Sequence, residues 1–156
     1  IEAAHKDGII RHIGFSAHTE SAAIELMNRF DFTSVLFPVN WVTWNIGKFG
    51  PQVIAAAQET DTAVLALKSM AKRPWVDGEE RTYEKCWYSP VETHEEAQLA
   101  VRFTLSRPVT AAVSPGYPKL LGWACDAADD FRSLSESEEQ EVAQRAETAQ
   151  PIFWKE

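Results

Sequence analysis

The chain has 156 residues, enough to bury a real core in one domain, and its 45% hydrophobic and 24% charged content is that of an ordinary globular protein. A formal net charge of −8 argues against non-specific nucleic-acid binding and against anionic membrane surfaces, and no run of roughly eighteen apolar residues offers a membrane span. The cysteines Cys86 and Cys125 form no CxxC and no ligand spacing, so neither a disulfide framework nor a metal site is expected.

The segment 1–6 reads as the end of a helix, with Gly8 as its C-terminal glycine. Ile9, Ile10, Ile13 and Phe15 predict a first strand over 9–15, apolar on both faces. Ala23, Ile24, Met27 and Phe30 fall at helical spacing, which predicts a helix over Glu20–Arg29. An apolar strand follows at 34–37. Residues 38–50 read as a loop carrying Asn40, Trp41 and Trp44. Gly50 and Pro51 open a helix to Glu59, and Ala63–Leu67 is a third apolar strand.

The connection 68–92 is too long for a turn and holds Trp75, Tyr83, Trp87 and Tyr88. Thr93 and Glu96 form a capping box for a helix to Leu105. A fourth strand is expected at 109–113, then a turn at Ser114, Pro115 and Gly116 and a helix over 118–128. Ser135 and Glu138 form a second capping box, opening an acidic helix to Thr148. Strands apolar on both faces alternating with amphipathic helices predict an α/β fold, with a parallel sheet covered on both sides.

With the strand ends placed, four segments resemble the C-terminal half of an aldo/keto reductase, a (β/α)8 TIM-barrel enzyme. IRHIGFSAH (10–18) is similar to the family's fifth strand and its G-x-S loop, FDFTSVLFPVNW (30–41) to the sixth strand, AVLALKSMA (63–71) to the seventh, and VTAAVSPG (109–116) to the eighth strand and its phosphate loop. The resemblance implies that 1–156 is a single partial-barrel domain: the four C-terminal βα units plus a C-terminal helix, with the N-terminal half missing.

It also implies an NADP(H)-dependent oxidoreductase that reduces aldehydes or ketones by hydride transfer. The family's catalytic Tyr, Lys, His and Asp come from the first half of the barrel, so no catalytic residue is assigned here and the chain is expected to be inactive alone. Tyr83, Tyr88 and Tyr117 are read as loop or packing aromatics.

By resemblance, Ser16 lies near the nicotinamide carboxamide. Where the family often has Asn after that serine, this chain has Ala17 and then His18. His18 is either the second carboxamide partner or a solvent-facing residue at a helix entry. The family's glutamine on the sixth strand corresponds to Leu36. Asn40 is either in the site or a structural turn residue.

Lys68 and Ser69 end the seventh strand and are candidates for the diphosphate or nicotinamide side. Ser114 and Gly116 match the turn whose backbone N–H groups face a phosphate, with Lys119 the nearest basic residue for a 2′-phosphate. Trp41 and Trp75 are candidates for the wall of a carbonyl-substrate pocket.

The expected partners are a small-molecule carbonyl compound and either the missing half-barrel or a second copy, and the expected location is the cytoplasm. A different reading is a non-catalytic half-barrel that self-assembles as a binding or scaffold module, since edges near 9–15 and 109–113 lack protective charges. An open doubly wound nucleotide-binding fold would need a G-x-G-x-x-G turn, which Gly14-Phe15-Ser16 does not provide.

Overall fold

Residues 1–155 are described by the computed structural model. A short helix α1 (Glu2–Lys6) leads to strand β1 (Gly14–Ser16), helix α2 (Glu20–Arg29), strand β2 (Ser34–Pro38), a short helix α3 (Trp41–Asn45), helix α4 (Pro51–Glu59) and strand β3 (Ala63–Leu67). Strands β4 (Ala71–Pro74) and β5 (Tyr88–Pro90) precede helix α5 (His94–Leu105), strand β6 (Ala111–Ala112), helix α6 (Pro118–Asp129) and helix α7 (Glu136–Ala146). Strands β1, β2, β3 and β6 lie side by side in that order, all parallel, while β4 and β5 pair antiparallel as a separate ribbon.

Strand pairing fixes which side chains share a face. Phe15, Val35 and Val64 stand in one row, and Phe37, Ala66 and Ala112 in the next on the same side. This side packs against Ala23 and Met27 of α2 and Val53, Ile54 and Ala57 of α4. Phe37 and Phe49 are fully buried there, stacked 5.1 Å apart. Burial of each contributes roughly 2 kcal/mol. A second core joins α3, α5, α6 and α7 around Trp41, Phe103, Leu120 and Val142.

The other side of the sheet differs from the expectation of cover on both faces. Ser16, Leu36, Leu65 and Ala111 form a row there, followed by Pro38 and Leu67. Leu36, Leu65 and Leu67 are only half-buried, and Val113, next on that side, is 40% exposed. The helices lie over one face, and the opposite face stays open among the described residues.

The first strand is shorter than 9–15. Ile9 and Ile10 fold back so that both backbone N–H groups donate to the Ala4 carbonyl at the end of α1, and Ile9 is 75% exposed. Pairing begins where Thr33 N–H donates to the Ile13 carbonyl.

The segment 38–50 is not all loop. Asn40 caps α3, accepting at its side-chain oxygen from Val42 N–H at 2.9 Å and Thr43 N–H at 3.0 Å. The long connection 68–92 contains the β4–β5 ribbon, and Arg73 of β4 pairs in bidentate fashion with Glu79, past the end of that strand, at 2.8 and 2.6 Å. Among the described residues, no helix is long and apolar enough to cross a membrane. Cys86 is buried and Cys125 exposed, and both are free.

The second capping box forms in full, with Ser135 and Glu138 bonding each other's backbone N–H. Glu138 also receives Arg102, a side chain only 6% exposed, through both carboxylate oxygens at 2.7 and 3.1 Å. Hydrogen bonds from Arg102, then from Ser135, hold the Glu138 carboxyl down at about 2, against an ordinary 4.5. Folding therefore favours the ionised form. The stabilisation is present in full above pH 4.5 and is lost as pH falls from there through about 2. Glu138→Gln is expected to flatten the fall in Tm across that window. An acid limb identical to the parent's would show that the pair contributes nothing.

Candidate functional site

All strands of a parallel sheet end on the same side, and the loops leaving β1, β2, β3 and β6 cluster there. Ser16 closes β1 with its side chain on the open face, in register with Leu36, and is exposed. His18 is exposed too, its ring 5.8 Å from that of Phe153.

Asn40 follows β2 and is 1% exposed. Its amide nitrogen donates to the carbonyls of Lys68 at 2.9 Å and Ala71 at 2.5 Å, with Ser69 further off at 3.5 Å. Three carbonyls on one end and two N–H groups on the other fix the orientation of the amide. Asn40 thus staples the start of α3 to the turn after β3, the structural-turn alternative of the two that the sequence left open. Its polar atoms are spent on the protein.

The stapled turn holds Lys68 in the left-handed region, φ +65°, unusual for a side chain larger than glycine. From there its Nζ lies 5.3 Å from the ring centre of Trp87 and 5.2 Å from that of Tyr88. The space beside it is a cavity of about 220 Å³ lined by Leu67, Lys68, Lys85, Cys86, Trp87, Tyr88, Val113, Ser114, Pro115 and Gly116. Among the described residues no carboxylate lines it. Burial lowers the Lys68 pKa, and a smaller pull from the Cys86 thiol opposes that shift. Burial also raises the Cys86 thiol, against smaller opposing effects of a hydrogen bond with Tyr88 and of the Lys68 charge. Tyr88 is pushed up by the same burial and remains a phenol.

Three of the residues predicted from the sequence therefore meet in one cavity: Lys68, Ser114 and Gly116. A Cβ built on Gly116 touches nothing within 4 Å, so its backbone borders open space. Ser69 is buried within the stapled turn, and Ser16 and His18 are exposed at the end of β1, outside the lining of this cavity.

The remaining predicted residues lie elsewhere. Trp41 opens α3 and is 5% exposed, packed over a narrow cleft with Leu99, Ala100 and Val142 rather than standing in a loop at the mouth. Trp75 donates its indole N–H to the Cys86 carbonyl at 2.7 Å. It shares a separate cavity with Lys119, whose Nζ sits 4.7 Å over the Trp123 ring. Tyr88 of β5 lines the Lys68 cavity, whereas Ser89 and Pro90 line the one that holds Trp75 and Lys119.

Sequence reasoning missed Lys85 and Cys86 in the Lys68 cavity, and it read Tyr88 as a loop or packing aromatic. It also missed a strap formed by the C-terminal segment. Phe153 stacks on Phe49 at 5.1 Å and approaches the Trp87 ring at 5.8 Å, while Lys155 N–H donates to the Gly47 carbonyl at 2.8 Å. Phe153 thus bridges the β1 end, the loop after α3 and the ribbon. The apolar cluster Pro-Ile-Phe-Trp after the last helix was the available signal. No cluster of acidic, His or Cys side chains able to hold a metal exists among the described residues.

No family model and no curated protein matches the chain. Solved structures do. The chain is similar to the holo form of the aldo-keto reductase AKR11C1 from Bacillus halodurans, at 19% identity over 99% of this chain and 57% of that one, with a TM-score of 0.64. It is similar to the glycerol dehydrogenase AKR11B4 from Gluconobacter oxydans, at 18% identity over 92% of this chain and 51% of that one, with a TM-score of 0.59. The chain spans between half and three-fifths of the length of these structures. The likeness establishes the fold: an α/β chain whose parallel sheet has the form found in aldo-keto reductase barrels.

Proposed function

We propose that this chain is the cofactor-holding part of an NADP(H)-dependent oxidoreductase that reduces an aldehyde or ketone to an alcohol. The reading rests on one observation: the end of β3, the start of β5 and the turn after β6 form a cavity that presents two lysines, a glycine-containing turn and, among the described residues, no carboxylate. That donor set fits a phosphate-bearing ligand. The choice of NADP(H) over NAD rests on the family resemblance, because Lys119 lies over Trp123 and Arg132 is an exposed residue beside Glu138.

When bound, the nicotinamide supplies the hydride. In this reading Lys68, Lys85 and the Ser114–Gly116 turn hold the anionic portion, and Ser16 orients the carboxamide from the end of β1. Trp87 and Phe153 narrow the approach and exclude water. The group that protonates the developing alkoxide comes from further βα units that close over the open face of the sheet. A cytoplasmic location is part of this proposal, and two free thiols support a reducing compartment.

A nicotinamide-fluorescence titration of the purified chain with NADPH tests this. Saturable binding is expected, weakened about tenfold or more by Lys68→Ala through loss of a charge-assisted contact, and less by Ser16→Ala. A folded chain that shows no saturation would remove the reading.

A second reading has its own support. The half-buried Leu36, Leu65 and Leu67 and the exposed Val113 suit a self-assembling module, in which a second copy covers the open face. A concentration-dependent dimer with no NADPH binding would favour it.

A further inference from the structure

We propose that Lys68 is an imine-forming lysine, which condenses with small aldehydes that carry a phosphate or carboxylate while Lys85 and the Ser114–Gly116 turn hold the anion. The observations that carry it are geometric. Lys68 Nζ faces the cavity between two aromatic rings, and its backbone is locked by the Asn40 staple. Among the described residues no carboxylate pairs with it, whereas Lys72, four residues on, is paired with both Glu92 and Glu96. A second lysine, Lys85, borders the same space. A partly desolvated amine with no carboxylate partner among the described residues is an environment in which lysine acts as a nucleophile near neutral pH. The lowered pKa of Lys68 agrees with that environment.

The step balances without any redox partner. The neutral Nζ lone pair attacks the aldehyde carbon, and the nitrogen proton passes to the carbonyl oxygen to give a carbinolamine. The C–O bond then breaks. The hydroxyl takes one proton from solvent and leaves as water, and a protonated imine remains on Lys68. The open mouth of the cavity admits the water that this step exchanges. Nothing in the step requires a dinucleotide, but it uses the same cavity and the same lysine as the cofactor reading, so the two ligands compete.

The test is reductive trapping. The chain is incubated with glycolaldehyde phosphate or with glycolaldehyde, reduced with cyanoborohydride, and mapped by peptide mass spectrometry. The phosphorylated probe is expected to label Lys68 about tenfold faster than Lys6, Lys48 or Lys155, and faster than glycolaldehyde does. Lys68→Arg keeps the charge and the fold, checked by circular dichroism, and should lose the rapid label. Lys85→Ala should slow the phosphorylated probe at Lys68 more than it slows the plain one.

Labelling spread evenly over the lysines, or equal rates for the two probes at Lys68, would overturn the proposal. NADPH added as a competitor separates the two ideas. Rapid Lys68 labelling that NADPH fails to slow counts against the cofactor reading alone. NADPH binding with no selective labelling counts against the imine alone.

Discussion

Asn40→Ala is expected to lower the unfolding free energy by about 3 kcal/mol, from a lost helix cap of about 1 kcal/mol and a buried carbonyl left without this partner at about 1–3 kcal/mol. The side chain is 1% exposed, so water has no route to the orphaned groups. The Ala71 carbonyl and the Val42 and Thr43 N–H groups lose this partner at once, while the Lys68 carbonyl keeps the Ala71 N–H. Asn40→Asp discriminates between the two ends. Its carboxylate still caps α3 but turns an acceptor toward the carbonyls of Lys68 and Ala71, so this variant should also be destabilised. Urea unfolding of both variants measures the effect. A loss below about 1 kcal/mol for Asn40→Ala would show that the staple is incidental.

Gly47→Ala carries the second large effect. The obstacle is space rather than backbone conformation, since Gly47 has no positive φ. A Cβ there runs into the Phe153 carbonyl oxygen and stands 2.8 Å from the Thr43 carbonyl oxygen, both of them backbone atoms that no rotamer change can move. Overpacking of this kind costs about 1–3 kcal/mol. The strap is the element able to yield, and its displacement takes Phe153 off Phe49 and Trp87.

A double-mutant cycle with a chain shortened after Gln150 checks where the cost lies. With the strap gone, Gly47→Ala should cost much less than it does in the full chain. Additive losses would place the clash at Thr43 alone.

The parts of the fold legible in the sequence were those whose local signal agrees with their packing. β2 and β3 are short apolar runs with their buried side chains Val35, Phe37, Val64 and Ala66 at alternate positions, and α7 begins at the capping box that Ser135 and Glu138 spell out. Elements set by distant partners were hidden. Trp41–Asn45 contains poor helix formers and is held by the Asn40 cap and by packing on α5 and α7. β4 and β5 meet through their antiparallel pairing, supported by the bond from Trp75, just past β4, to the Cys86 carbonyl just before β5. Ile9 looks like a core residue in sequence, but its backbone follows the end of α1 out into solvent.

The candidate site divides in the same way. Lys68, Ser114 and Gly116 follow strands, and the ends of parallel strands converge by construction. Trp41, Trp75 and Lys119 sit on a helix or a ribbon whose rotation decides which side they face. No spacing rule conveys that rotation before the packing is known.

The strap gives the molecule an order of completion. Each strand of the parallel sheet pairs with the next one in sequence, so the sheet can zip from β1 toward β6 as a nascent chain emerges. Phe153 comes after all of them, and it joins His18, Phe49 and Trp87 only once the last helix is made. The scaffold is therefore an early product of synthesis and the mouth a late one. A ribosome-bound chain can own its sheet well before the strap settles against Phe49 and Trp87.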